Sequence, residues 1–208
     1  MFNDFPLLLG IVASTLHIIS GPDHLAAVTP YAIETKQSSW KVGLYWGLGH
    51  LGGMLLIGFA FLLFKAYIPI EQISEHSETL VGITLVGIGA FVIYKTVYRK
   101  PHAHAHPKKE KYHIYSLAIG FLHGLAGIAH FILLLPVLGF EHRSQSILYI
   151  IGFGIGTVAA MSIYALIVGK ASQLTKRNGS MFWSKGIRLT SGFFALVTGF
   201  YLVYLGVH

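Results

Sequence analysis

Residues 16–30 of the chain are LHIISGPDHLAAVTP, running from Leu16 to Pro30. Shifted forward by 106 places, the stretch lies on residues 122–136, LHGLAGIAHFILLLP, and five of fifteen positions match. Leu16, His17, Gly21, His24 and Pro30 fall on Leu122, His123, Gly127, His130 and Pro136. Leucine and glycine coincide readily in apolar sequence, but a repeated His-x6-His with its glycine and proline in phase does not. Two further alignments keep the same order along the chain: Gly47 and Gly49 meet Gly152 and Gly154 at a shift of 105, and Gly82, Gly89 and Tyr94 meet Gly192, Gly199 and Tyr204 at a shift of 110. Similarity at a fixed offset marks duplicated structural units.

The surroundings of these stretches set the solvent. Of the 208 residues 54% are apolar and only 11% charged, and the mean hydropathy is +0.64. Soluble domains carry about a quarter charged residues. A spanning helix needs about 20 mostly apolar residues, and six stretches qualify: 5–33, 42–68, 79–98, 113–140, 146–169 and 187–207. The expected fold is an all-α integral membrane protein, a single transmembrane domain over 1–208 with six transmembrane helices. Three spans is an odd number, so a second copy of a three-span unit enters the bilayer in the opposite sense. The expected halves are inverted three-helix repeats over 1–100 and 113–208, joined by a His/Lys-rich loop at 101–112. Transporters built in this way keep their sites near the midplane, on broken helices where the halves meet.

Charge orients the spans. Sorting Lys and Arg by alternate connections puts thirteen of the fifteen on one side, in 34–41, 95–112, 170–186 and at Arg188, leaving Lys65 and Arg143 on the other. Positive loops stay in the cytoplasm, so both termini are expected outside, in a multi-pass protein of the inner (plasma) membrane. The net charge of +7 forms no aromatic-interleaved basic stripe, which excludes nucleic acid as the expected partner. The N-terminus lacks the basic flank of a cleaved signal, and the first span is expected to be retained. Cysteine is absent, so disulfides, thiolate sites and iron–sulfur clusters are excluded.

Ionisable side chains inside spans are costly and mark pathways or bound ligands. This chain places His17, Asp23 and His24 in the first span, His50 in the second and His123 and His130 in the fourth. Imidazoles with one carboxylate and no sulfur suit nickel, cobalt, zinc, copper or iron better than magnesium or calcium. Residues seven apart share a helix face but stand about 10 Å apart along the axis, too far for one ion. Ser20-Gly21-Pro22 supplies the remedy: proline removes a backbone donor and clashes with the preceding turn, and glycine opens the backbone. A broken first helix then lets His17, Asp23 and His24 converge and frees backbone carbonyls as further ligands. Between His123 and His130 stand glycines but no proline, so whether the fourth span breaks is left open. The glycines around His50, Gly47, Gly49, Gly52 and Gly53, are expected to draw the second span against the broken first one. His102, His104 and His106 alternate in the third loop, a weaker metal-capture pattern.

At these residues the chain resembles the nickel/cobalt transporter superfamily, most closely its short, six-span members, the UreH-type urease accessory membrane proteins. The family's first signature, a His, four residues and Asp-His, is similar to His17, five residues and Asp23-His24. Its Leu-Gly-His signature resembles Leu48-Gly49-His50, and its second-half motif resembles Gly120 to Gly127. The resemblance implies metal-binding roles for His17, Asp23, His24 and His50, with His123 and His130 as second-half counterparts, and metallochaperone or urease maturation proteins as partners.

The expected activity is transport of a divalent transition metal ion, nickel or cobalt first and zinc or iron next, with the ion as substrate and no catalysis. Protonation of imidazoles competes with metal near physiological pH, so coupling to a proton gradient is expected. The alternatives are an integral-membrane metalloenzyme or haem-binding protein using the same histidines, and an accessory protein that delivers metal without transporting it.

Overall fold

A computed structural model describes residues 5–35, 38–64, 70–98, 109–125, 136–177 and 181–207. Its helices are α1 (Pro6–Ser20), α2 (Pro22–Thr35), α3 (Ser39–Phe64), α4 (Ile70–Tyr98), α5 (Lys109–Leu125), α6 (Pro136–Gly139), α7 (Arg143–Arg177) and α8 (Met181–Leu205). No strand occurs among the described residues.

Four segments are long and apolar enough to cross a membrane: Ser39–Ala60, Thr79–Tyr98, Arg143–Leu174 and Lys185–Leu205. Helices α1 and α2 pass together as a fifth, bent by 75° at their junction. The stretch expected at 113–140 maps onto α5, α6 and residues 126–135, which lie outside the described residues. As described, α5 runs 17 residues, short of the about 20 a full span takes. His130 and the tract with His102, His104 and His106 also lie outside the described residues.

The bend falls where the sequence places it. Gly21 is extended, with φ −85° and ψ 101°, and Pro22, which has no N–H to offer an upstream carbonyl, starts α2. Two backbone oxygens at the break are engaged locally. The carbonyl of His17 accepts from the Gly21 N–H at 3.0 Å and from the Ser20 hydroxyl at 3.2 Å, and the Gly21 carbonyl accepts from the Leu25 N–H at 3.3 Å. These two carbonyls are held by local hydrogen bonds, and the side chains on either side of the break converge.

Helix α2 runs through the middle of the bundle and touches α1, α3, α4, α5, α7 and α8. Small side chains allow this. Ala26, Ala27, Val28 and Ala32 are buried in one cluster with Ile18, Val42, Trp46, Leu85, Met161 and Ala195. The outer surface is apolar as well, with Phe91, Ile163, Ile167, Phe193 and Phe200 more than half exposed. An apolar exterior around a core holding histidines is the arrangement of a lipid-facing bundle.

At its far end α2 is tied by charge. Glu34 meets Arg188 at 3.1 Å and Lys95 at 3.5 Å, so the end of α4 and the start of α8 gather at the end of α2. Both cations belong to the set that the sequence assigns to a single side.

The sequence leads us to expect the glycines of α3 against α2, but they face α5 and α7 instead. A Cβ on Gly49 or Gly53 would strike α5 at the carbonyls of Leu117 or Phe121, and one on Gly43 or Gly47 would strike α7 at Met161 or Val158. From the other side Gly120 sits on the Trp46 carbonyl and Gly124 on the His50 carbonyl. Glycine lets these two backbones touch, which is what small residues contribute to membrane helix crossings. The reason for the correction is geometric: His50 and the glycines leave α3 in different directions, so His50 reaches α2 by its ring while the glycines seat α3 on α5 and α7.

The α1–α7 crossing matches the α3–α5 crossing contact by contact. Gly152 lies on Leu7 and Gly156 on Ile11, as Tyr45 stacks on His113 and Gly49 lies on Leu117. Gly10 lies on Tyr149, as Ser116 donates to the Val42 carbonyl at 2.7 Å. Adding 106 to the α1 members gives the α5 members, and subtracting 107 from the α7 members gives the α3 members. A shift of 107 sets Gly47 and Gly49 against Gly154 and Gly156, beside the shift of 105 read from sequence. Helices α4 and α8 pair with each other: Gly82 packs on Gly199 and Gly89 on Gly192.

Candidate metal centre

His17 stands in the last turn of α1, and Asp23 and His24 in the first turn of α2. On a straight helix His17 and His24 would be about 10 Å apart along the axis; across the bend their ring centroids are 4.6 Å apart. His50 arrives from α3, with its ring 5.2 Å from that of His24 and 5.9 Å from that of His17. One nitrogen from each of the three lies within 4.8 Å of the other two. Ligands sharing an ion at bonds of about 2.1 Å stand roughly 3–4 Å apart, so modest ring rotation closes the set.

The site is dry. His24, His50 and His123 are each at most 1% exposed, while His17 is half-buried. Their donor chemistry, nitrogen without sulfur, fits a borderline divalent ion.

Asp23 stands beside this group rather than within it. Its Oδ2 is 3.6 Å from His24 Nε2, and its side chain is 23% exposed. There it supplies negative charge next to the cluster, at the N-terminal end of α2, where the helix dipole also favours an anion. The His24 seat explains Gly21. A Cβ at residue 21 would run into His24 Nδ1 and come within 3.0 Å of Asp23 Oδ1.

His123 approaches from α5, with its ring 6.1 Å from that of His24. It is not a member of the three-nitrogen group. Its Nδ1 lies 3.1 Å from the Ile119 carbonyl; a carbonyl only accepts, so Nδ1–H donates and Nε2 carries the lone pair. The structure thus brings together His17, His24 and His50, sets Asp23 and His123 around them, and leaves His130 outside the described residues.

Sequence reasoning missed Trp46. Its indole stacks on His50 at 4.7 Å and 13°, meets His24 edge to face at 5.3 Å and lies 5.6 Å from His123. The signal available was its place four residues before His50, on the same face of α3.

Three relatives share extended sequence with the chain. It is 36% identical over 184 residues to chloroplast protein FOR GROWTH AND FERTILITY 1 of Arabidopsis thaliana, covering 80% of this chain and 50% of that protein. To chloroplast protein FOR GROWTH AND FERTILITY 2 of the same plant it is 37% identical over 178 residues, covering 80% and 48%. To the urease accessory protein UreH of Bacillus sp. (strain TB-90) it is 33% identical over 215 residues, covering 97% of this chain and 89% of that protein. The chain spans about half the length of the plant relatives. No family model matches the sequence. No solved structure matches it either.

Proposed function

Because the chain belongs to the UreH family of urease accessory proteins, we propose that it transports divalent transition metal ions, nickel or cobalt first, through the centre formed by His17, His24 and His50. The observation that carries this reading is the convergence of three imidazoles, two of them from the halves of a broken helix and one from α3, within 4.8 Å in the middle of a membrane-type bundle. Asp23 offsets part of the ion's charge, and His123 and His130 serve the same path from the second half.

The bundle is read as six spans in two inverted halves. Equivalent helices that cross about a two-fold axis exchange their contacts, each residue touching the counterpart of its neighbour. The pairing of Gly82 with Gly199 and of Gly89 with Gly192 has that exchanged form, as does the match between the α1–α7 and α3–α5 crossings. A site at the meeting of such halves, on a broken helix, is where transporters bind their ions. Lys95 and Arg188 gather at the end of α2, which supports placing that end in the cytoplasm and both termini outside.

The test is flux. Purified protein in vesicles loaded with a nickel-sensitive dye should carry Ni2+ down an imposed gradient, and His24→Ala should lower the rate at least about tenfold, as expected when a ligand of the ion is removed. A second reading, delivery of metal without transport, is favoured by the words "accessory protein" in the name of the bacterial relative. It expects metal binding by the same residues and no flux from the wild-type chain alone.

A further inference from the structure

Two buried polar atoms beside the centre have no hydrogen-bond partner among the described residues: the indole Nε1 of Trp46 and the imidazole Nε2 of His123. Their characters are opposite. Indole N–H only donates, and His123 Nε2 only accepts, because Nδ1–H is committed to the Ile119 carbonyl. Both side chains are at most 1% exposed, their rings are 5.6 Å apart, and Trp46 is stacked on His50. Buried polar groups are paired as a rule, and an orphan in a dry core is costly.

One oxygen that accepts from the indole and donates to the imidazole satisfies both. Three imidazole ligands leave a divalent ion with an open position, which such sites fill with water. We propose that Trp46 and His123 form an outer seat for one oxygen ligand of the ion, a bound water, so that His123 acts through that oxygen instead of coordinating as a fourth nitrogen. This rests on the reading of His17, His24 and His50 as the ion's ligands. Trp46 is then a positioning residue twice over, since its ring also fixes the plane of His50.

The experiment counts ligands and weighs affinity on the full chain in detergent, with Co2+ alone as the probe. Each coordinated imidazole with a free N–H gives one paramagnetically shifted, exchangeable proton signal. The wild type should show three and His24→Ala fewer. His123→Ala should keep three while binding Co2+ about tenfold more weakly, in the range of outer-sphere partners. Trp46→Phe, which retains a stacking ring and loses the N–H, should behave in the same way. His123→Gln, whose amide oxygen can still accept from the water, should stay within about threefold of wild type. Four signals in the wild type falling to three in His123→Ala would make His123 a direct ligand and overturn the proposal, as would undiminished affinity in Trp46→Phe. An unchanged spectrum in His24→Ala would instead remove the centre on which it rests.

Discussion

His17 and His123 hold equivalent places in the two halves of the sequence, yet their imidazoles keep different company. His17 ends a helix that breaks, and its ring stands 4.6 Å from His24 and 5.9 Å from His50. His123 lies within α5, bonded through Nδ1 to the Ile119 carbonyl one turn back. The difference teaches that a repeated motif need not repeat a site. Gly21-Pro22 turns a helical pair into a cluster, while a histidine that satisfies its own helix is held at one remove.

Removing a ligand from the first region should cost most. His24→Ala is expected to weaken Co2+ binding by about 100-fold or more, above the range seen when outer-sphere partners of a metal are lost; equilibrium dialysis of the purified protein measures it. A loss smaller than that of His123→Ala would invert the comparison.

Two glycine substitutions sharpen it. Gly21→Ala drives a methyl into the His24 ring, and overpacking of this kind costs about 1–3 kcal/mol. Both the thermal midpoint in detergent and Co2+ affinity should fall. Gly124→Ala presses on the His50 carbonyl from α5 and should lower stability by a similar amount, about 1–3 kcal/mol. Affinity, however, should fall less than in Gly21→Ala, because the break itself is untouched. Equal losses of affinity in the two variants would show that the α3–α5 crossing shapes the site as strongly as the break does.

The smallest effect belongs to the end of α2 farthest from the centre. Glu34→Gln breaks contacts to Arg188 and Lys95, but Glu34 is 24% exposed, and solvent-reached ion pairs contribute about 0–1 kcal/mol. Melting should shift by a degree or two at low salt and less at high salt, with Co2+ affinity unchanged.

The break was legible because its chemistry is local: a glycine followed by a proline between two histidines admits few backbones. The convergence of His17 with His24 follows from it, and His50 was legible as an ionisable residue in an apolar span. Other features depend on how helices meet. Glycines two apart align equally well at neighbouring registers, so sequence alone does not choose between shifts of 105 and 107 for α3 against α7. The same glycines gave no sign that they face α5 and α7. Asp23, expected among the ligands, has its Oδ2 3.6 Å from His24 Nε2 and keeps 23% of its side chain exposed. Trp46 carried one signal, its place four residues before His50 on the same helix face, but an apolar span offers no mark to separate a tryptophan that packs from one that supports a ligand. The bond from His123 to Ile119 depends on a rotamer, which sequence does not specify.

The most direct test of the central claim is an anomalous-difference map from crystals soaked in Ni2+. A peak about 2.1 Å from one nitrogen each of His17, His24 and His50, at the bend between α1 and α2, is the result this account predicts. A peak elsewhere, or none at those rings while the protein binds Ni2+ in solution, would contradict it.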